Sequence, residues 1–222
     1  MVRTICIFVG LVAAALAGPV IARALAPPQA SRVVDRIVAH IEGDIILQSQ
    51  LRELGAFQQL IEGRAESDDR LLAELIEQWV VQTEATASHF PQPAQSEVDR
   101  EMARLAAQFT SPEAYAAKLS ELGLSATQVR QLLARQIYVE RYLDYKFRPS
   151  VQIEPSDIET YYQKELLPEL ARKNQPAPRL ADVEGQIREL LTQREITALG
   201  AKWLDETKSR LKIELTAPGA KP

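Results

Sequence analysis

Two strand-like segments lie at opposite ends of this chain, and only helical patterns separate them. Near the N-terminus, residues 36–41 are rich in β-branched side chains, residues 42–44 (Glu-Gly-Asp) form a turn signal, and residues 45–47 are apolar again. Near the C-terminus, residues 211–215 alternate between apolar and polar side chains, as a half-buried strand does. Because an isolated hairpin is only marginally stable in water, we expect the C-terminal strand to pair with the N-terminal hairpin. The alternative is that residues 211–215 are the frayed end of the preceding helix.

The region between these segments is predicted to be helical. The sequence contains only nine glycines, whereas alanine, leucine, glutamine, glutamate and arginine, which favour helices, are abundant. Serines suited to cap helix N-termini precede several periodic segments, namely Ser49, Ser111, Ser125 and Ser156. Proline cannot continue a helix, so helix ends are expected before Pro149 and Pro168. We predict a mostly α fold, with helices over residues 49–62, 71–88, 96–109, 112–122, 126–148, 156–167 and 181–210, and a loop over residues 169–179.

The N-terminal segment carries an apolar run of the kind that directs export. Residues 5–22 are uncharged, but Gly18-Pro19 interrupts them and leaves 13 apolar residues, 5–17, which suits a signal peptide. Small-x-small processing sites end at Ala17, Ala24 and Ala26. A retained membrane anchor is the alternative, and both interpretations place the rest of the chain outside the cytoplasm. We predict a signal peptide over residues 1–26, a linker over 27–32, a domain over 33–215 and a polar tail over 216–222.

Residue types that support common catalytic chemistry are scarce. The single cysteine, Cys6, excludes an internal disulfide, a multi-cysteine zinc site and a CxxC redox pair, and the only histidines are His40 and His89. The sequence has no GxSxG, HExxH or P-loop motif. A net charge of −4 gives no reason to expect nucleic acid as a partner. We therefore predict no catalytic, metal-binding or cofactor-binding residues.

The order of elements resembles SurA-type periplasmic chaperones. Residues 33–49 (Val-Val-Asp-Arg-Ile-Val-Ala-His-Ile-Glu-Gly-Asp-Ile-Ile-Leu-Gln-Ser) resemble the opening strand, turn and serine-capped helix of that family. Further similar segments follow in the family's order over nearly the whole mature chain, at residues 75–85, 122–125, 151–162, 201–204 and 211–214.

The chain departs from the family at one place. In SurA and related parvulin-type foldases, one or two isomerase domains follow the helix that corresponds to the one carrying Tyr161-Tyr162 here. Only about 20 residues, 164–182, separate that helix from the C-terminal one, and an autonomous fold needs roughly 40 or more. The resemblance therefore implies a SurA-like helical chaperone core, with a small β element joining the N- and C-terminal strands, that lacks the catalytic insert.

This resemblance also implies a function and a location. The expected protein is an ATP-independent periplasmic chaperone that binds unfolded segments of envelope proteins, chiefly outer-membrane proteins, without a cofactor or metal. It would contact the membrane only through an uncleaved signal segment. The alternatives are a peptidyl-prolyl isomerase and a dedicated interaction subunit of an envelope complex. The identity of the clients and the formation of a homodimer are left open.

A cluster of aromatic residues gives the candidate client-binding site. Five of the six tyrosines lie between residues 138 and 162. The spacing of Tyr138, Tyr142 and Tyr145 places them on one helix face. Tyrosine combines a large apolar ring with a polar tip, which suits binding to varied peptides. The alternative is that this face packs in the core. The predicted client-binding residues are Tyr138, Tyr142, Tyr145, Phe147, Tyr161 and Tyr162.

Overall fold

This computed structural model describes residues 35–216. A three-stranded antiparallel sheet joins the N-terminal and C-terminal ends of that range. The central strand pairs with the other two in the order β2-β1-β3. Ala39 of the central strand lies between Ile46 and Leu215. The predicted pairing of the two chain ends is confirmed, and the alternative of a frayed helix is wrong. The strands are β1 (Ile37–Ile41), β2 (Asp44–Leu47) and β3 (Ile213–Leu215).

Some predicted segments lie outside the described residues. These are the signal peptide (1–26), the linker (27–32), the first two residues of the predicted domain and all of the tail except Thr216.

Helices fill the chain between β2 and β3, so the predicted mostly α fold with a small sheet is confirmed. A 3₁₀ turn, Arg148–Ser150, follows the fifth helix, and a π-helical turn, Tyr162–Leu166, joins the sixth to the seventh. None of the helices within residues 35–216 has the length and apolar character needed to cross a lipid bilayer. The helices are α1 (Gln48–Glu62), α2 (Asp68–Ala87), α3 (Gln95–Ala106), α4 (Pro112–Leu122), α5 (Ala126–Phe147), α6 (Pro155–Tyr161), α7 (Leu167–Arg172) and α8 (Leu180–Lys208).

Two of the four predicted serine caps are confirmed. The Ser111 hydroxyl accepts a hydrogen bond from the backbone N–H of Ala114 at 3.2 Å, ahead of Pro112 in the first turn of α4. The Ser125 hydroxyl accepts from the backbone N–H of Gln128 at 3.2 Å, and the Gln128 side chain accepts from the Ser125 backbone N–H at 2.9 Å. This reciprocal arrangement is a capping box, and it fixes the start of α5.

The other two predicted caps are wrong. Helix α1 begins directly after β2, so Leu47 occupies the N-cap position and Ser49 lies inside the first turn. At α6, Pro155 takes the first helical position, where its missing N–H costs nothing, and this moves the N-cap from Ser156 back to Glu154.

The helix that was expected to end before Pro168 continues to Arg172. The backbone N–H of Leu167 donates to the carbonyl oxygen of Tyr162, five residues earlier, which is the hydrogen bond of a π-helical turn. Proline has no N–H to give to the residue four positions before it, and the wider turn accommodates that loss. The predicted loop over residues 169–179 is therefore helical in its first part.

Within residues 35–216, the core consists of three apolar clusters. The first packs α1, α3, α4 and α5 around Val129, and the second packs the sheet on α1 and α2 around Ile41. The third joins α2, α5 and the end of α8 around Tyr142 and Leu204. The earlier part of α8 packs instead on α6, with Ile158 and Ile187 buried. Residues 155–190 thus form a helical hairpin beside the main core, and we call them the hairpin arm.

Candidate functional site

An apolar groove runs along the hairpin arm between the α6–α7 segment and the first half of α8. Its volume is about 500 Å³, and none of the side chains that line it is charged. Leu190, at one side, has 39% of its surface exposed. We call this feature the hairpin groove, and its lining residues are Tyr161, Leu166, Leu170, Gln175, Pro176, Pro178, Val183, Gln186, Ile187 and Leu190.

The π-helical turn and one tyrosine set the shape of the groove. The turn supplies Leu166 to the lining, between Tyr161 of α6 and Leu170 of α7. The Tyr162 hydroxyl donates a hydrogen bond of 2.6 Å to the carbonyl oxygen of Pro178, which ties the loop after α7 back to the π-helical turn. This hydrogen bond therefore connects the segment before α7 to the loop after it, and both segments contribute to the groove wall.

Several charged side chains on and next to the hairpin arm form ion pairs outside the groove. Arg194 and Glu165 form an ion pair at 2.8 Å, and the Arg194 guanidinium also lies 5.0 Å from the centre of the Tyr161 ring. Arg179 contacts Asp182 at 2.7 Å. None of these charged side chains lines the hairpin groove, so the groove presents an uncharged surface.

An exposed ionic network fastens the hairpin arm to α5. The guanidinium of Arg148, which directly follows α5, contacts Asp144 of α5 and Glu189 of α8, each at 2.7 Å. The hydrogen bond from Arg148 lowers the pKa of Glu189 to about 2 and also lowers the pKa of Asp144. The network links α5 to α8 where the hairpin arm meets the main core.

The six aromatic residues predicted to bind clients occupy different environments. Tyr138 and Tyr142 are 3% exposed and pack in the core against Phe90, as the packing alternative described. Tyr145, on the same helix, is 64% exposed and keeps one side of its ring against Phe90, with ring centres 5.2 Å apart. Phe147 is half-buried against Trp203.

Only the last two of the six contribute to the hairpin groove. Tyr161 lines it, and Tyr162 holds its wall through the hydrogen bond to Pro178. The structure therefore does not bring the predicted residues onto one surface. Sequence reasoning missed Leu166, Leu170 and Leu190 as site residues. Leu170 was expected in a loop after Pro168, and Leu166 and Leu190 were expected only as apolar positions on two separate helices.

Comparison with known proteins gives no family for the chain. No protein-family model matches it. No curated protein is significantly similar to it. Within residues 35–216, no cluster of three or more histidine, cysteine or carboxylate side chains is arranged to hold a metal ion. The interpretation of the site therefore depends on its own geometry and chemistry.

Proposed function

We propose that this protein is an ATP-independent chaperone that binds apolar, aromatic-containing segments of unfolded polypeptides in the hairpin groove. The observation that carries the proposal is the uncharged lining of that open groove, about 500 Å³ in volume. Its clients would be envelope proteins in transit through the periplasm, chiefly outer-membrane proteins. The export signal expected in residues 1–26 and the resemblance of the sequence to SurA-type chaperones support this location.

The chemistry of the groove suits transient binding. Burial of apolar surface contributes about 25 cal/mol per Å² before the entropic cost of ordering the client is subtracted. An uncharged groove lined by leucine, isoleucine, valine and proline side chains offers few directional contacts, so it selects for apolar character more than for a sequence. Tyr161 adds an aromatic ring to the groove lining, and the Arg194 guanidinium lies 5.0 Å from the centre of that ring. An aromatic ring of this kind suits contact with the aromatic side chains of clients.

A matched pair of leucine substitutions tests the proposal. We expect Leu190→Glu, which places a charge in the groove, to weaken binding of an aromatic-rich peptide from an unfolded outer-membrane protein by about tenfold or more. Leu215→Glu changes an even more exposed leucine, on β3 and outside the groove, and should leave the affinity unchanged. Fluorescence anisotropy titration gives the affinities, and melting curves establish that both variants fold.

Further measurements separate this function from the alternatives. A chaperone should suppress aggregation of several unrelated unfolded clients, and Leu190→Glu should reduce that suppression. Protection of one client alone would favour a dedicated interaction subunit. Acceleration of a proline-limited refolding reaction at catalytic concentrations would favour a prolyl isomerase. Equal peptide affinity for the unaltered protein and for folded Leu190→Glu would contradict the proposed use of the groove.

A further inference from the structure

The outer side of β3 is an open strand edge. β3 comes last in the sheet order β2-β1-β3, so no other strand pairs with that side among the residues that the structure describes. Lys212 accepts a hydrogen bond of 3.0 Å from the N–H of Glu42, next to β1, and Thr216 donates one of 3.0 Å to a carbonyl oxygen of β1. Alternate residues of an antiparallel strand bond to the same neighbour, so Lys212 and Thr216 face β1. The backbone N–H and carbonyl groups of Ile213 and Leu215 therefore point away from β1.

The side chains along this edge follow a pattern that is symmetric about Ile213. Residues 211–215 read Leu-Lys-Ile-Glu-Leu, so the residues one position to either side of Ile213 carry opposite charges and those two positions away are leucines. The side chains of Lys212 and Glu214 are 75% and 61% exposed and contact each other at 3.1 Å. Leu215 is 66% exposed, more than any other large apolar residue within residues 35–216. An exposed leucine beside outward-pointing strand backbone is a surface suited to pairing with a further strand.

We propose that β3 pairs with β3 of a second copy of this chain, antiparallel and centred on Ile213, so that the two sheets join into one of six strands. In this register, Lys212 of each copy lies opposite Glu214 of the other. Each Leu215 lies opposite Leu211 of the other copy, and the two Ile213 residues face each other. The twofold symmetry repeats every contact, as an interface between identical surfaces requires.

The charges on the edge select this register. Like charges directly opposite each other on neighbouring strands are destabilising. A pairing centred on Glu214 would set two glutamates opposite each other, and one centred on Lys212 would do the same with two lysines. Charged residues on an edge strand commonly prevent pairing between copies. Here the two charges have opposite signs and stand symmetrically about Ile213, so in one register they attract the second copy.

The pairing also extends the apolar cluster beneath the sheet. Leu211 and Ile213 contact that cluster, and Leu215 lies on the same face because side chains alternate along a strand. In the dimer these side chains from both copies lie next to one another. A single strand edge is a small interface, so we expect a dissociation constant on the order of 100 µM. This surface is separate from the hairpin groove and from the peptide binding proposed there.

Charge reversal at the two symmetric positions tests the proposal. Sedimentation equilibrium of the purified protein should show a monomer–dimer equilibrium between about 10 µM and 1 mM. Lys212→Glu and Glu214→Lys each set like charges opposite one another at two places in the dimer, so each should weaken dimerisation by about tenfold or more. The double variant Lys212→Glu/Glu214→Lys restores unlike pairs and should dimerise as the unaltered protein does.

A mixture of the two single variants gives the sharpest comparison. One variant carries two glutamates on the edge and the other two lysines, so the two should form a heterodimer more tightly than either forms a homodimer. A protein that stays monomeric up to about 1 mM would overturn the proposal. Self-association that is equal in all of these variants would place the interface elsewhere, and a mixture that associates no better than its components would overturn the register.

A proline substitution tests the backbone part of the pairing. Leu215→Pro removes the N–H that points away from β1 and keeps the backbone groups of Lys212 and Thr216 that bond toward β1. Leu215→Ala shortens the side chain, keeps the N–H and is the matched control. We expect Leu215→Pro to weaken dimerisation about tenfold more than Leu215→Ala, because two intermolecular hydrogen bonds are lost. Equal dimerisation of the two folded variants would overturn strand pairing. Should Leu215→Pro fail to fold, the charge reversals, which change exposed side chains, decide the question.

Discussion

The hydroxyl group of Tyr138 donates a hydrogen bond of 3.1 Å to the carbonyl oxygen of Phe90, 48 residues earlier in the chain. Phe90 follows His89, whose backbone has a φ of 55°, and this bend turns the chain after α2 back toward α5. The Phe90 ring then packs against Tyr138, Tyr142 and Tyr145. Phe90 therefore contacts all three tyrosines of this α5 face, of which Tyr138 and Tyr142 are buried and Tyr145 is exposed.

This arrangement predicts different effects for two neighbouring tyrosines. Tyr142→Ala should lower the free energy of unfolding by about 3–5 kcal/mol, because it leaves a cavity where a 3%-exposed ring packs. Tyr145→Ala removes a ring that is 64% exposed and should change stability by about 0.5 kcal/mol or less. Urea denaturation of the two single variants measures both effects. Similar losses of unfolding free energy in the two variants would contradict the assignment of Tyr142 to the core and of Tyr145 to the surface.

The C-terminal strand should be required for the stability of the whole domain. Deletion of residues 211–222 removes β3 and the contacts that Leu211 and Ile213 make with the cluster beneath the sheet. From the lost apolar burial and hydrogen bonds, we expect unfolding to become easier by about 2–4 kcal/mol. Deletion of residues 217–222 retains β3 and is the matched control. A melting curve unaltered by the longer deletion would contradict a stabilising role for β3.

Glu74 should make stability depend on pH in the direction opposite to most carboxylates. Burial raises its pKa in the folded protein above the ordinary value of 4.5, so the folded state binds the proton more tightly than the unfolded state. The cost of the buried charge is present at neutral pH and disappears as pH falls through the raised pKa. Relative to Glu74→Gln, the unaltered protein should gain stability between pH 7 and pH 4.5. Urea denaturation across that pH range measures the difference in unfolding free energy between the two proteins. A difference that stays constant with pH would contradict the prediction.

Glu189 should make stability depend on pH in the direction that is usual for carboxylates. Its ion pair with Arg148 lowers its pKa from 4.5 to about 2, so its contribution to stability is present above the unfolded-state value and is lost as pH falls toward 2. We expect Glu189→Gln to lower the melting temperature slightly at pH 7, because the pair is exposed to solvent, and less at pH 3. Glu195→Gln, also exposed on α8, is the control and should have no such pH dependence. An equal lowering of the melting temperature by Glu189→Gln at pH 7 and pH 3 would mean that the effect does not come from the ion pair with Arg148.

Features governed by nearby residues could be predicted from the sequence. The caps at Ser111 and Ser125 depend on residues three positions away, and the alternation at residues 211–215 was enough to identify β3. Helix α7 could not be predicted, because proline normally ends a helix and a π-helical turn depends on its packing. The spacing of Tyr138, Tyr142 and Tyr145 showed that they share a face. It could not show that Phe90, beyond a helix break, covers two of them.

The position of β1 between β2 and β3 sets a condition on when the chain can finish folding. Glu42 and Lys212 exchange hydrogen bonds across 170 residues of sequence, and the second edge of β1 has no partner until β3 is available. During synthesis from the N-terminus, the hairpin of β1 and β2 must wait for nearly all of the remaining residues to be made. Contacts of such long sequence separation form slowly. A chain interrupted before residue 213 would keep an open strand edge, which is the kind of surface that pairs with other chains and aggregates.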